Sequence, residues 1–195
     1  GRWPRWGIRH LTLASTSRLR PAPAEATAPR PSRPRKMSKL NRLAKTIAAI
    51  KSKVPKSLHP LAVTLAFNTQ VKYAMTSGIW IESLEQGAAT VSLKNRMRVQ
   101  NHIGGVHACG MALLAESATG MVFGMSVPDK CIPLIKSMKI DYTRVAKGDL
   151  RAVASLSEAD LEKIRGQEKG EVVVPVTVTD SAGKEPIKAE MTWAW

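Results

Sequence analysis

The chain has 195 residues, 44% hydrophobic and 23% charged, a globular balance with room for one ordinary domain and a tail. Its net charge of +15 is unevenly spread, because residues 1–36 hold nine basic residues and one acid, Glu25, and that tail concentration argues against nucleic acid as the partner of the folded part. Two cysteines, Cys109 and Cys131, are too few for a disulfide framework and point to a reducing compartment, and the sequence offers no four-ligand Cys/His spacing for a metal.

Residues 1–36 are rich in Pro, Arg, Ser and Ala and read as a disordered basic extension. Three origins fit: an organelle transit peptide, which would place the protein in the mitochondrial matrix; a non-native leader, since the first Met is Met37; or a nucleic-acid- or membrane-binding arm. Without a transit signal the chain would be cytoplasmic. Residues 37–195 are expected to form one domain. "SKLNRLAKTIAAIKSK" has apolar residues at three- and four-residue steps, predicting a helix capped by Ser38 and ended by Pro55, with a second short helix over Pro60–Asn68. "GIWIESLEQGAATVSLKN" predicts two strands turning at Gln86-Gly87. "LIKSMKIDYTRVAKGDLRAVASLS" predicts two more, with Lys147-Gly148-Asp149 as the turn. "SEADLEKIRG" carries a capping box, Ser157 with Asp160. The end of the chain alternates through Val172, Val174, Val176 and Val178 and returns through Ile187–Trp195, predicting a hairpin with its loop at Asp180–Lys184.

The segment "NHIGGVHACGMALLAESATG" (101–120) introduces the most apolar stretch, Cys109–Val127. With Glu116, Ser117, Thr119 and two glycines inside it, that stretch reads as a buried core helix and not as a membrane span. At 100° per residue Glu116 falls about 140° from Met111, off the core stripe of Met111, Leu114, Ala115, Ala118 and Val122. Its neighbours one turn away, Ala112 and Gly120, are small and leave room beside the carboxylate. A helix starting near Val106–His107 after Gly104-Gly105 leaves backbone N–H groups able to polarise a carbonyl oxygen. From spacing alone, Glu116 can equally be a solvated acid. Cys109 reads as a small buried apolar residue, and His102 and the methionines as lining core or an apolar pocket.

"N-H-I-G-G-V-H-A-C-G-M-A-L-L-A-E" resembles the hotdog-fold acyl-CoA thioesterases of the PaaI-like group, and more closely the hotdog proteins grouped as DUF4442. The resemblance covers about residues 60–195, with its strongest part at Asn101–Glu116. It implies an α+β hotdog domain, an antiparallel sheet wrapped around a long central helix, assembled as a homodimer or a dimer of dimers. It implies hydrolysis of an acyl-CoA or acyl-carrier thioester without a cofactor, coenzyme A being part of the substrate. By the same resemblance Glu116 is general base or nucleophile, Asn101 orients the attacking water or the carboxylate and faces Glu116 of the other chain, the N–H groups of His107, Ala108 and Cys109 polarise the thioester oxygen, and Ser137 completes the site. The family's His-Gly-Gly is His107-Ala108-Cys109 here, a departure that leaves a non-catalytic hotdog, an acyl-ligand binder or structural subunit, as the alternative.

Overall fold

The computed structural model describes residues 40–195, so the basic extension and the expected Ser38 cap lie outside the described residues. In chain order the elements are α1 (Arg42–Ser52), α2 (His59–Gln70), α3 (Lys72–Ser77), β1 (Ile79–Glu85), β2 (Ala88–Leu93), α4 (Ala108–Gly124), β3 (Leu134–Tyr142), β4 (Leu150–Ser155), α5 (Glu158–Gly166), β5 (Glu171–Val174), β6 (Val176–Asp180) and β7 (Ile187–Ala194). Two antiparallel sheets, β1-β2-β4-β6 and β3-β7-β5, pack on α4, and β5 runs directly into β6 through Pro175. The sheets thus wrap the central helix as the resemblance implies. Inward residues of β2 and β4 alternate strictly, Ala89, Val91 and Leu93 against Ala152, Ala154 and Leu150, and meet Leu114, Ala118 and Val122 of the helix in one apolar core.

Local signals place several elements where the sequence does. Gln86-Gly87 makes a two-residue turn because Gly87 takes φ +80, a conformation that disfavours any side chain. The Ser157–Asp160 capping box forms, with both reciprocal bonds present. At the first helix, Asn41 is the cap: its Oδ1 accepts from the Ala44 N–H at 2.8 Å. Its amide also donates to the carbonyls of Gly124 and Val127, both at 2.7 Å, which ties α1 to the end of α4. The six-residue α3 is an element the periodicity did not reveal.

Two pairings differ from expectation. β3 and β4 are not a hairpin: β3 pairs with β7, and β4 lies between β2 and β6 in the other sheet. The expected turn at Lys147–Asp149 exists, but it ends a crossover, with the Ser181 hydroxyl accepting from the Asp149 N–H. The run Val172–Val178 is likewise two strands, because Pro175 has no N–H to give a ladder. β5 pairs with β7, and β6 leaves to pair with β4. On the opposite edge α2 covers β1: the Thr64 hydroxyl accepts from the Ile81 N–H at 2.9 Å and Asn68 donates to the Ile79 carbonyl, so these edge groups are partnered.

Asp180 locks the crossover. Burial would raise its carboxyl, but the N–H groups of Lys147 and Lys184, the Arg144 guanidinium at 2.6 Å and the Ala182 N–H hold it down, to about 2. A folded value below the ordinary 3.8 gives stability that is complete above that value and is lost as pH falls towards about 2. Thermal melts through this window should show the acid loss in the native chain and not in Asp180→Ala, which at neutral pH should cost about 2–3 kcal/mol.

Candidate functional site

The start of α4 is built by Asn101. Its Oδ1 accepts from the N–H groups of Ile103 and Gly105, both at 3.1 Å, while its own N–H donates to the Gly105 carbonyl at 2.8 Å. Gly104, at φ +78, closes this turn. With both acceptor positions of Oδ1 in use, the polar group that Asn101 has left is its amide NH2, a donor with no partner among the described residues. Asn101, Ala108 and Met111 line one groove with the segment Tyr142–Ala146, where the Tyr142 hydroxyl donates to the Ala108 carbonyl at 3.1 Å. Burial, and then the nearby Cys109, push that phenol above its ordinary value.

His107 is the N-cap: its Nδ1 accepts from the Cys109 N–H at 3.1 Å, which requires that nitrogen to carry a lone pair. The His107 N–H donates to the Val99 carbonyl at 2.8 Å, and those of Gly110 and Met111 return to the His107 carbonyl. Of the three N–H groups proposed from the sequence, two are therefore engaged, and the Ala108 N–H is the one without a partner among the described residues. Cys109 is exposed, not buried as its apolar neighbours suggested, and His102 is exposed too.

Further along, α4 is buried on almost every side. Beyond the exposed Cys109, the residues left partly open are Ala108, Ala112, Glu116 and Gly120, which lie along one stripe at four-residue steps. Glu116 is the single charged residue of the helix, and its carboxylate makes no ion pair or hydrogen bond among the described residues. Burial pushes its carboxyl above the ordinary 4.5. The room expected at Gly120 is taken: a Cβ there would stand 2.8 Å and 2.9 Å from the Trp193 indole, whose Nε1–H donates to the Thr119 hydroxyl at 3.0 Å. Gly120→Ala should therefore push the indole out of place and cost about 1–3 kcal/mol in urea unfolding, with no charge or polar group changed.

The single chain does not bring all the expected residues together. Glu116 lies eight residues beyond Ala108, about 12 Å along the axis at 1.5 Å per residue. Ser137, opposite Thr192 in β3, is exposed and stands five residues before Tyr142, about 16 Å away along the strand. Asn101 and the Ala108 N–H form one cluster at the helix start, and Glu116 stands apart on the open stripe. Among the described residues no group of three His, Cys, Asp or Glu side chains is placed to hold a metal ion, and no helix is long and apolar enough to cross a membrane.

Similarity to known proteins agrees with this architecture. A structural-genomics target matches at 27% identity with a TM-score of 0.61, covering 77% of this chain and 95% of its own. A Pseudomonas aeruginosa protein of unknown function, described as a probable thioesterase, matches at 26% identity with a TM-score of 0.60, covering 72% of this chain and 95% of its own. A variant of another P. aeruginosa thioesterase, at 20% identity and a TM-score of 0.55 over 67% of this chain and 91% of its own, shares the fold. No curated protein matches. The model of one family, the domain of unknown function DUF4442, matches residues 61–195, from α2 to the last strand. With that match over most of its length, and with its sheets wrapped around a central helix, the chain belongs to the DUF4442 family of the hotdog fold.

Proposed function

We propose that the protein hydrolyses an acyl thioester, with coenzyme A or an acyl carrier as the leaving thiol, in a site formed between two copies of the chain. The observation that carries this reading is Glu116: a carboxylate with no partner among the described residues, raised by burial, on the one stripe of the central helix that the protomer leaves open. Such a carboxylate is a better proton acceptor than an ordinary one. Asn101 and the Ala108 N–H of one copy would hold the thioester oxygen, and Glu116 of the second copy would take a proton from water as its oxygen bonds to the carbonyl carbon. Collapse of the tetrahedral intermediate breaks the C–S bond, and the departing thiolate takes the proton back from Glu116.

Dimerisation is supported by β3. It is an edge strand in its sheet, and beside the charged Lys136, Lys139 and Asp141 it exposes Leu134 (62%), Met138 (50%) and Tyr142 (50%). The probable-thioesterase description of the Pseudomonas neighbour supports the reaction class. The alternative, an acyl-ligand binder without turnover, draws on the engaged N–H groups of His107 and Cys109, which leave the helix start a smaller oxyanion site. Thiol release by the full chain over a panel from acetyl- to palmitoyl-CoA tests the two. Turnover that depends on acyl length supports the hydrolase; binding of the same thioesters with no thiol released supports the binder.

A further inference from the structure

The net charge of +15 comes entirely from one end of the chain. Residues 1–81 carry sixteen basic residues and the single acid Glu25, while residues 82–195 carry fourteen of each sign. In the described part this puts Arg42, Lys45, Lys51, Lys53, Lys56 and Lys72 on the α1–α3 layer with no acid among residues 40–81. Lys51 pairs with Glu85 from β1, and Lys45, Lys53 and Lys56 have no ion pair among the described residues. Within that layer α2 contains no Asp, Glu, Lys or Arg at all. Its inner side buries Val63 and Thr64, and its outer side, where a surface helix normally carries charge, exposes leucine. Leu58, just ahead of the helix, with Leu61 and Leu65, recurs at helical spacing and is 46%, 43% and 57% exposed. Lys53 and Lys56 flank this stripe at its start, and Lys72 and the exposed Tyr73 at its end.

We infer that the outer face of α2, with the lysines at its ends, is a docking surface for an anionic lipid bilayer. Leucines on the exposed face of an uncharged helix, bracketed by cations and free of acids, suit the boundary between acyl chains and headgroups. A second copy is a poor occupant: a two-fold contact sets the patch against itself, cation against cation, and the acids beside Lys56, Glu82 and Glu85 of β1, already pair with Arg151 and Lys51. An acidic protein would meet the lysines but would set its charges against the leucines. The inference does not rest on the thioesterase reading, and its readout needs no turnover.

The test is co-sedimentation of the full chain with vesicles of phosphatidylcholine alone and of phosphatidylcholine with phosphatidylglycerol. The expected result is partition onto the anionic vesicles only, weakening with salt. Leu61→Gln/Leu65→Gln should lower that partition about tenfold with the melting temperature unchanged. Lys53→Gln/Lys56→Gln should lower it about 25-fold, at about fivefold per lysine. Four results overturn the inference: no partition of the full chain; partition unchanged in both variants, which assigns adsorption to residues 1–36; a change of oligomeric state in the leucine variant, which makes the face an interface between copies; or capture of an acidic carrier protein without vesicle binding.

Discussion

Glu116→Gln should lower thioester hydrolysis about 10³-fold and leave the protein at least as stable as before. The rate loss follows from the role proposed: glutamine keeps the shape of the side chain but cannot accept the proton, and a positioned general base contributes on the order of 10²–10⁴. The stability result follows from the raised carboxyl of a desolvated group. When an acid's folded value lies above its unfolded value, both states are protonated at low pH and the group costs nothing. As pH climbs past the ordinary 4.5, the unfolded chain ionises first, so stability falls. It levels off once the folded carboxyl has ionised as well. Glutamine has no such slope. The melting-temperature difference between variant and native chain should therefore open with rising pH from near pH 4.5 and level off once the folded carboxyl has ionised. The same raised carboxyl should appear in kcat/KM as an inflection above the ordinary carboxylate range, with activity rising as pH increases. A variant within threefold of the native turnover would remove Glu116 from the chemistry.

A residue that destabilises its own helix is also the kind of residue a sequence displays. Glu116 stands out in an apolar run because the 3.6-residue period says what should be there and an acid is not it. The turn at Gln86-Gly87, the Ser157–Asp160 box and the alternation in β2 and β4 are legible for the same reason: each depends on residues close together in the chain. The strand partners are not local. Lys147-Gly148-Asp149 has the chemistry of a hairpin turn and serves a crossover, because Asp180, more than thirty residues later, gathers Arg144 and the Lys147 N–H around one buried carboxylate. Pro175 was visible, but its consequence, one valine run divided between two sheets, depends on where β4 and β7 lie. At the site the loss of detail has the same cause. That Cys109 is exposed, that Trp193 fills the space beside Gly120, and that His107 and Val99 engage two of the three N–H groups at the helix start are all contacts that spacing does not encode.

Asn101→Asp separates two things Asn101 does. Its Oδ1 organises the turn by accepting from Ile103 and Gly105, and its NH2 is the donor left over for a ligand. Aspartate retains an oxygen for both backbone N–H groups, and a charged acceptor strengthens such bonds. The turn, the Gln100–Val106 bridge that closes it and the His107 cap should therefore persist, with unfolding free energy within about 0.5 kcal/mol of the native chain. What aspartate cannot do at neutral pH is donate. If the amide holds the thioester oxygen as charge develops on it, turnover should fall about 10²-fold or more, the usual effect of removing one oxyanion donor. The loss should lie in kcat more than in KM, because the missing bond is strongest in the transition state. Asn101→Ala supplies the contrast: it removes the acceptor too, so turn and turnover should fail together. The Ala108 N–H is the other backbone donor of the proposed site without a partner among the described residues. Full activity in the aspartate variant would make Asn101 a turn-former only and leave the oxyanion to Ala108. A folded aspartate variant that still binds acyl-CoA but no longer turns it over would place the donor in the reaction.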